Sequence, residues 1–223
     1  MPTIETARSW YPPSDPVHGF DHVLRVYRLA ERLARAEGAD LEIVRAAVLL
    51  HDAAPELDAP DPPSGLHPSS QAAGRSTHHH ASAAFARQVL QAEGWPEARI
   101  SAVEHCIRAH RFRDDTEQPQ TLEAQVLFDA DKLDAIGAIG VARAIAYAAR
   151  DGCPAYAEPS ASFVETGQKA DGELHSSYHE FLYKLRKLKG RMYTASARLL
   201  AEERHHRMEA FYIELAAETR GER

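Results

Sequence analysis

Cysteine is scarce in this chain: Cys106 and Cys153 are the only two, too few for a disulfide framework or a thiolate-based zinc site. The expected compartment is a reducing cytoplasm. Long hydrophobic runs are also missing. No stretch approaches the ~18 uncharged apolar residues that a membrane span needs, and even residues 43–50 are interrupted by Arg45. The first ten residues carry Glu5 and Arg8 and lack the apolar core of a signal peptide. Basic residues are the minority charge, 26 against 33 acidic for a net charge of -7, which disfavours general nucleic-acid or anionic-membrane binding. The one basic run, Lys184, Lys187, Lys189 and Arg191, reads as a solvated helix face. Neither β-period alternation of useful length nor a 20–50-residue repeat occurs.

What remains is the composition of a folded domain, 44% hydrophobic and 26% charged over 223 residues. The expectation is an all-α, single-domain helical bundle covering residues 1–223, with its core at about 16–150 and C-terminal helices at about 175–218 packed on it. The first helix starts near residues 16–20, because His22, Val26, Leu29, Ala30 and Leu33 recur at three-and-four spacing, and it stops near Gly38. Asp40 is placed to N-cap a second helix whose inward face is Val44, Ala47, Val48 and His51. Pro55 halts it. Residues 58–75, with four prolines and two glycines, read as a surface loop or lid. A third helix follows Thr77 to about Ala92. Pro96 takes the first position of a fourth helix, which aligns Ile100, Val103, Ile107 and His110. A long alanine-rich helix is expected over 122–150, interrupted by Gly137 and Gly140, then a loop at 151–172 and helices at about 175–188 and 193–218.

Histidine is plentiful, thirteen in all, and several lie near aspartates. His51-Asp52 ends the apolar run Ala46-Ala47-Val48-Leu49-Leu50. Adjacent residues on a helix diverge by about 100°, so both can reach one ion only where the helix ends. His22 sits on the inward stripe of the preceding helix, and Asp131 and Asp134 share a face further on. Together His22, His51, Asp52 and Asp131 offer two nitrogen and at least two oxygen donors, a set suited to a divalent transition metal or Mg, with positions left for water and substrate. For each histidine alone, a hydrogen-bonded core role is the ordinary alternative.

The segments Asp15-Pro16-Val17-His18-Gly19-Phe20-Asp21-His22-Val23-Leu24-Arg25-Val26, Leu49-Leu50-His51-Asp52 and Asp129-Ala130-Asp131-Lys132-Leu133-Asp134-Ala135-Ile136-Gly137-Ala138-Ile139-Gly140-Val141-Ala142-Arg143 resemble the HD-domain metal-dependent phosphohydrolases. The likeness is strongest to the small single-domain bacterial branch, which contains nucleotide pyrophosphohydrolases, and it extends through Thr121-Leu122-Glu123-Ala124 and the 184–194 stretch. It implies that His22, His51, Asp52 and Asp131 bind one divalent cation, which could be Mn, Mg, Ni, Co, Fe or Zn. Asp129 and Asp134 compete for the last position. It also implies hydrolysis of a phosphoester or phosphoanhydride, first of a nucleotide, by a metal-activated water. Glu56 and Asp134 are the candidate catalytic carboxylates. His18, Arg25, Arg75, His110 and Lys132 are the candidate substrate contacts, with pairing to Asp21 the preferred alternative for Arg25. Phe112 could stack on a base or simply fill the core. The partner expected is a small phosphorylated molecule, with neither general nucleic-acid nor membrane binding and with homo-oligomerisation open. The alternatives are a two-metal cyclic-nucleotide phosphodiesterase or oxygenase, drawing on His80, His105, His110 or the His78-His79-His80 cluster, and a non-catalytic nucleotide-binding module.

Overall fold

A computed structural model of the chain describes residues 1–11, 19–53, 78–111 and 117–223. Helices make up its regular structure, and no strand occurs among the described residues. These residues form two compact units, 1–131 and 132–223.

The first unit holds α1 (Ile4–Arg8), α2 (Phe20–Glu37), α3 (Leu41–Leu50), α4 (His78–Ala92), α5 (Glu97–Ala109) and most of α6 (Leu122–Asp134). Helix α2 buries Phe20, His22, Val23, Val26, Leu29, Ala30, Leu33 and Ala34, the stripe its spacing requires. It closes at Gly38, whose φ of 81° sends its N–H back to the Ala34 carbonyl. The Asp40 carboxylate then accepts the Glu42 and Ile43 N–H groups at 2.9 and 3.2 Å, starting α3. Val44, Ala46, Ala47, Val48, Leu49 and Leu50 of α3 are all buried. A helix that is apolar on every side belongs in the centre. Accordingly α1, α2, α4 and α5 all pack on α3. Pro96 caps α5 rather than starting it, one residue from the expected position. Arg87 of α4 clasps the Glu104 carboxylate of α5 at 2.9 and 2.5 Å.

The long helix expected over 122–150 is two helices. Ile136 is extended (φ -128°, ψ 167°) and Gly137 has φ 78°, so the chain turns between α6 and α7 (Gly137–Arg150). Gly140 is required by close approach, since a Cβ there would lie 2.3 Å from the Ala135 carbonyl oxygen. The glycines therefore make a corner, and Gly137 also admits a close neighbour, since a Cβ there would lie 3.0 Å from that of Arg204.

The second unit continues with α8 (Ala161–Thr166), α9 (Ser177–Tyr183), a 3-10 helix (Leu185–Arg191) and α10 (Ala195–Thr219), with α9 and α10 packed on α7. Helix α8 lies inside the expected 151–172 loop; six residues are too few to show a period. Ser160 caps it, accepting the Phe163 N–H at 3.1 Å. Glu173 ties that cap to α9, accepting from the Ser160 hydroxyl at 2.7 Å and meeting His179 Nε2 at 2.9 Å, while His179 Nδ1 meets Ser176 Oγ at 2.7 Å. Ser176 is fully buried and caps α9, so this Ser-His-Glu chain is a structural knot. The basic run lies on and around the 3-10 helix, with Lys189 paired to Glu202. Among the described residues, no helix is long and apolar enough to cross a membrane.

Glu180 links α9 to its surroundings through His175 (3.2 Å) and Lys184 (2.9 Å). Burial raises its carboxyl, but these two partners outweigh burial and bring it down to about 2. A depressed carboxylate stabilises the fold above its unfolded value, and that contribution fades as pH falls from about 4.5 toward 2. Glu180→Gln should therefore cost ~1–2 kcal/mol at pH 7. In urea titrations the gap to wild type should narrow steadily below pH 4.5.

Candidate metal centre

Helix α3 stops at Leu50, leaving His51 and Asp52 in a turn where adjacent side chains are free to converge. Its terminal carbonyls are closed by three different donors. The Val48 carbonyl meets His51 Nδ1 at 2.7 Å, the Leu49 carbonyl accepts the Tyr11 hydroxyl at 3.0 Å, and the Leu50 carbonyl accepts the Ala53 N–H at 3.2 Å. A carbonyl can only accept, so in the neutral ring of His51 the proton sits on Nδ1 and the lone pair on Nε2. His51 is fully buried, and Nε2 has no hydrogen-bond partner among the described residues. A buried lone pair without a donor is costly in an apolar interior and natural for a metal ligand.

Helix α5 repeats the device. Buried His110 caps it, with Nδ1 2.5 Å from the Ile107 carbonyl, which directs Nε2 toward Asp52 at 3.6 Å. His78, the first residue of α4, places Nε2 3.5 Å from the same Asp52 oxygen. His51 Nε2 is 3.4 Å from the other Asp52 oxygen, and His22 Nε2 is 3.5 Å from Asp131 Oδ1.

These separations exceed ordinary N–H···O bonds. Two donors each ~2.1 Å from one ion at a tetrahedral angle lie ~3.4 Å apart. The side chains form two groups, His22, His51 and Asp131, and Asp52, His78 and His110, with the ligand atoms of each group within 4.8 Å of one another. Burial raises the Asp52 carboxyl, but the charge of His51, His78 and His110 when protonated, with a hydrogen bond from His78, outweighs it and holds the group well below the usual carboxylate range. The anionic form is thus available to a cation. Mixed imidazole and carboxylate donors, with an orphaned nitrogen among them, fit a divalent ion.

Of the residues singled out from sequence, His22, His51, Asp52, Asp131 and His110 are brought together. Arg25 pairs with Asp21 one turn before it on α2. Asp134 is buried in the second unit, with its carboxylate 2.8 Å from Arg143. Asp129 is fully buried, and Lys132 is half-buried in the second unit. His18, Glu56, Arg75, Phe112, Pro55 and the 58–75 loop lie outside the described residues. Two histidines named for a second ion fall elsewhere. His80 is exposed, and His105 sits between Glu117 (2.8 Å) and the Gln120 N–H (3.1 Å), with both nitrogens engaged. Of the three consecutive histidines only His78 faces Asp52, as the 100° fan of a helix requires. Tyr11 was not foreseen, because nothing periodic marks it.

The HD domain model matches residues 19–136, a span containing every member of both groups. The Bacillus subtilis protein YpgQ is 33% identical over 207 residues, 92% of this chain and 85% of that protein. Its crystal structure in complex with ADP is similar to this one with a TM-score of 0.65 at 30% identity, covering 97% of each chain. The crystal structure of an HD-superfamily hydrolase from Bacillus thuringiensis is similar with a TM-score of 0.67 at 27% identity, covering 97% of this chain and 96% of that one.

Proposed function

The chain belongs to the HD domain family, and from that membership together with its donor set we propose that it is a metal-dependent phosphohydrolase that cleaves a nucleotide phosphate. The observation that carries the proposal is the buried Nε2 of His51, without a hydrogen-bond partner among the described residues, beside His22, Asp131 and Asp52. His22, His51, Asp52 and Asp131 would hold the ion. A bound divalent ion supplies Lewis acidity toward a phosphoryl oxygen and a water acidic enough to attack near neutral pH. The chain's part is to fix the donors: the Val48 carbonyl holds the His51 ring, and Asp131 carries the negative charge toward His22. The ADP complex of YpgQ supports a nucleotide as the substrate class.

A second reading rests on Asp52, His78 and His110, which form a donor group of their own. With Asp52 shared, the site would take two ions, the arrangement of a two-metal phosphodiesterase or oxygenase. With one ion, His78 and His110 would instead, when protonated, donate to phosphoryl oxygens. Elemental analysis of protein reloaded with Mn separates the two, about one ion per chain for the first reading and about two for the second. A phosphate- and pyrophosphate-release screen over nucleoside mono-, di- and triphosphates with added Mn, Co, Ni or Mg should show turnover that EDTA abolishes. Silence across the panel with every metal would overturn the hydrolase assignment.

A further inference from the structure

Tyr11 is not a donor to either group, yet it touches α2 and α3, two of the three helices that bring donors to the first. It follows α1, is buried, and its ring lies against Phe20 with centroids 5.5 Å apart. Phe20 opens α2 two residues before His22. The Tyr11 hydroxyl donates to the carbonyl of Leu49, two residues before His51. The neighbouring Trp10 meets Phe85 of α4 edge-on at 5.4 Å, so the same short segment also reaches the helix that carries His78.

The Leu49 carbonyl depends on this contact. A continuing helix would satisfy it with the Ala53 N–H, but that N–H turns to the Leu50 carbonyl at 3.2 Å, a three-residue closure that tightens the end of α3. Deprived of its backbone partner, a buried carbonyl must find another donor or leave the turn strained. The phenol is that donor.

We propose that Tyr11 is a positioning residue for the metal centre, fixing the turn that presents His51 and Asp52 and bracing it against the first turn of α2 that presents His22. The proposal rests on the metal-binding reading given above. Groups that orient metal ligands from behind commonly change affinity 10–100-fold when removed.

Mn(II) binding to metal-free protein, read from the EPR signal of free Mn(II), tests it alongside thermal unfolding of the same samples. Tyr11→Phe keeps the ring and loses the hydroxyl. It should bind Mn(II) about tenfold more weakly at a temperature where its metal-free form is fully folded, and the visible spectrum of its Co(II) form should shift. A general loss of stability would lower the melting temperature without altering that spectrum. Phe20→Leu, which retains the hydroxyl contact and removes the ring facing it, should weaken binding in the same direction and serves if Tyr11→Phe does not fold. His51→Ala is the control for the site. Wild-type affinity in Tyr11→Phe, or in Phe20→Leu where that variant stands in, with binding lost in His51→Ala overturns the role of Tyr11 alone. Wild-type affinity in His51→Ala overturns the metal-site reading itself.

Discussion

Asp52→Ala should abolish metal retention and lower phosphate release by at least about a thousandfold, equivalent to ~4 kcal/mol of barrier. Its carboxylate is 3.4 Å from His51, 3.5 Å from His78 and 3.6 Å from His110, so it is common to everything on that side of the site. Its removal leaves three imidazoles around a gap and takes away one of the two carboxylates, Asp52 and Asp131, that would offset an incoming dication. The helix beneath does not depend on it, because Asp52 lies beyond the last residue of α3 and is a quarter exposed. Far-UV circular dichroism should accordingly remain that of wild type while Mn content and turnover vanish. Asp52→Asn, nearly the same in shape, separates charge from volume and should be almost as inactive. Undiminished release from either variant would remove Asp52 from the chemistry.

The largest effect on stability is expected at Gly140. Replacing a helical glycine by alanine ordinarily stabilises by ~1 kcal/mol. Here the added Cβ would sit 2.3 Å from the Ala135 carbonyl oxygen, a backbone atom that cannot rotate away. Overpacking of this severity should reverse the sign, and Gly140→Ala should lose ~3 kcal/mol or more in chemical denaturation. Gly190 is the natural control, since nothing lies within 4 Å of a Cβ there and its φ is ordinary. Gly190→Ala should be near neutral. A stabilised Gly140→Ala would mean that the corner between α6 and α7 opens freely.

The contrast between these glycines also shows how far the sequence could be read. Local signals located α2 through α5 to within a few residues, because Gly38, Asp40 and Pro96 act on the backbone beside them. The break at Ile136 was not legible in the same way. Alanine-rich sequence on both sides favours helix, and the corner depends on a left-handed Gly137 and a carbonyl against Gly140. His22, His51, Asp52 and Asp131 could be singled out because His22 falls on an apolar stripe, His51 and Asp52 at a helix end, and Asp131 in the segment that resembles the HD domain. His78 was lost among three consecutive histidines, whose sequence does not say which one turns inward. Tyr11 could not be found at all from spacing, since its significance comes from a carbonyl 38 residues away. The uses of Asp134 by Arg143 and of His105 by Glu117 were hidden for the same reason, as their partners are set by the completed fold.

His51 and His110 each end a helix and each spend one ring nitrogen on the carbonyl three residues back. Their aim is thus built into the backbone rather than borrowed from a neighbouring carboxylate or from the ion. On the metal-binding reading, chelation would leave both rings so held, and metal-stripped protein should take up an ion again without refolding. Which cation enters then follows from supply and the Irving–Williams order, and a preparation's activity will record the metals it was grown and purified in.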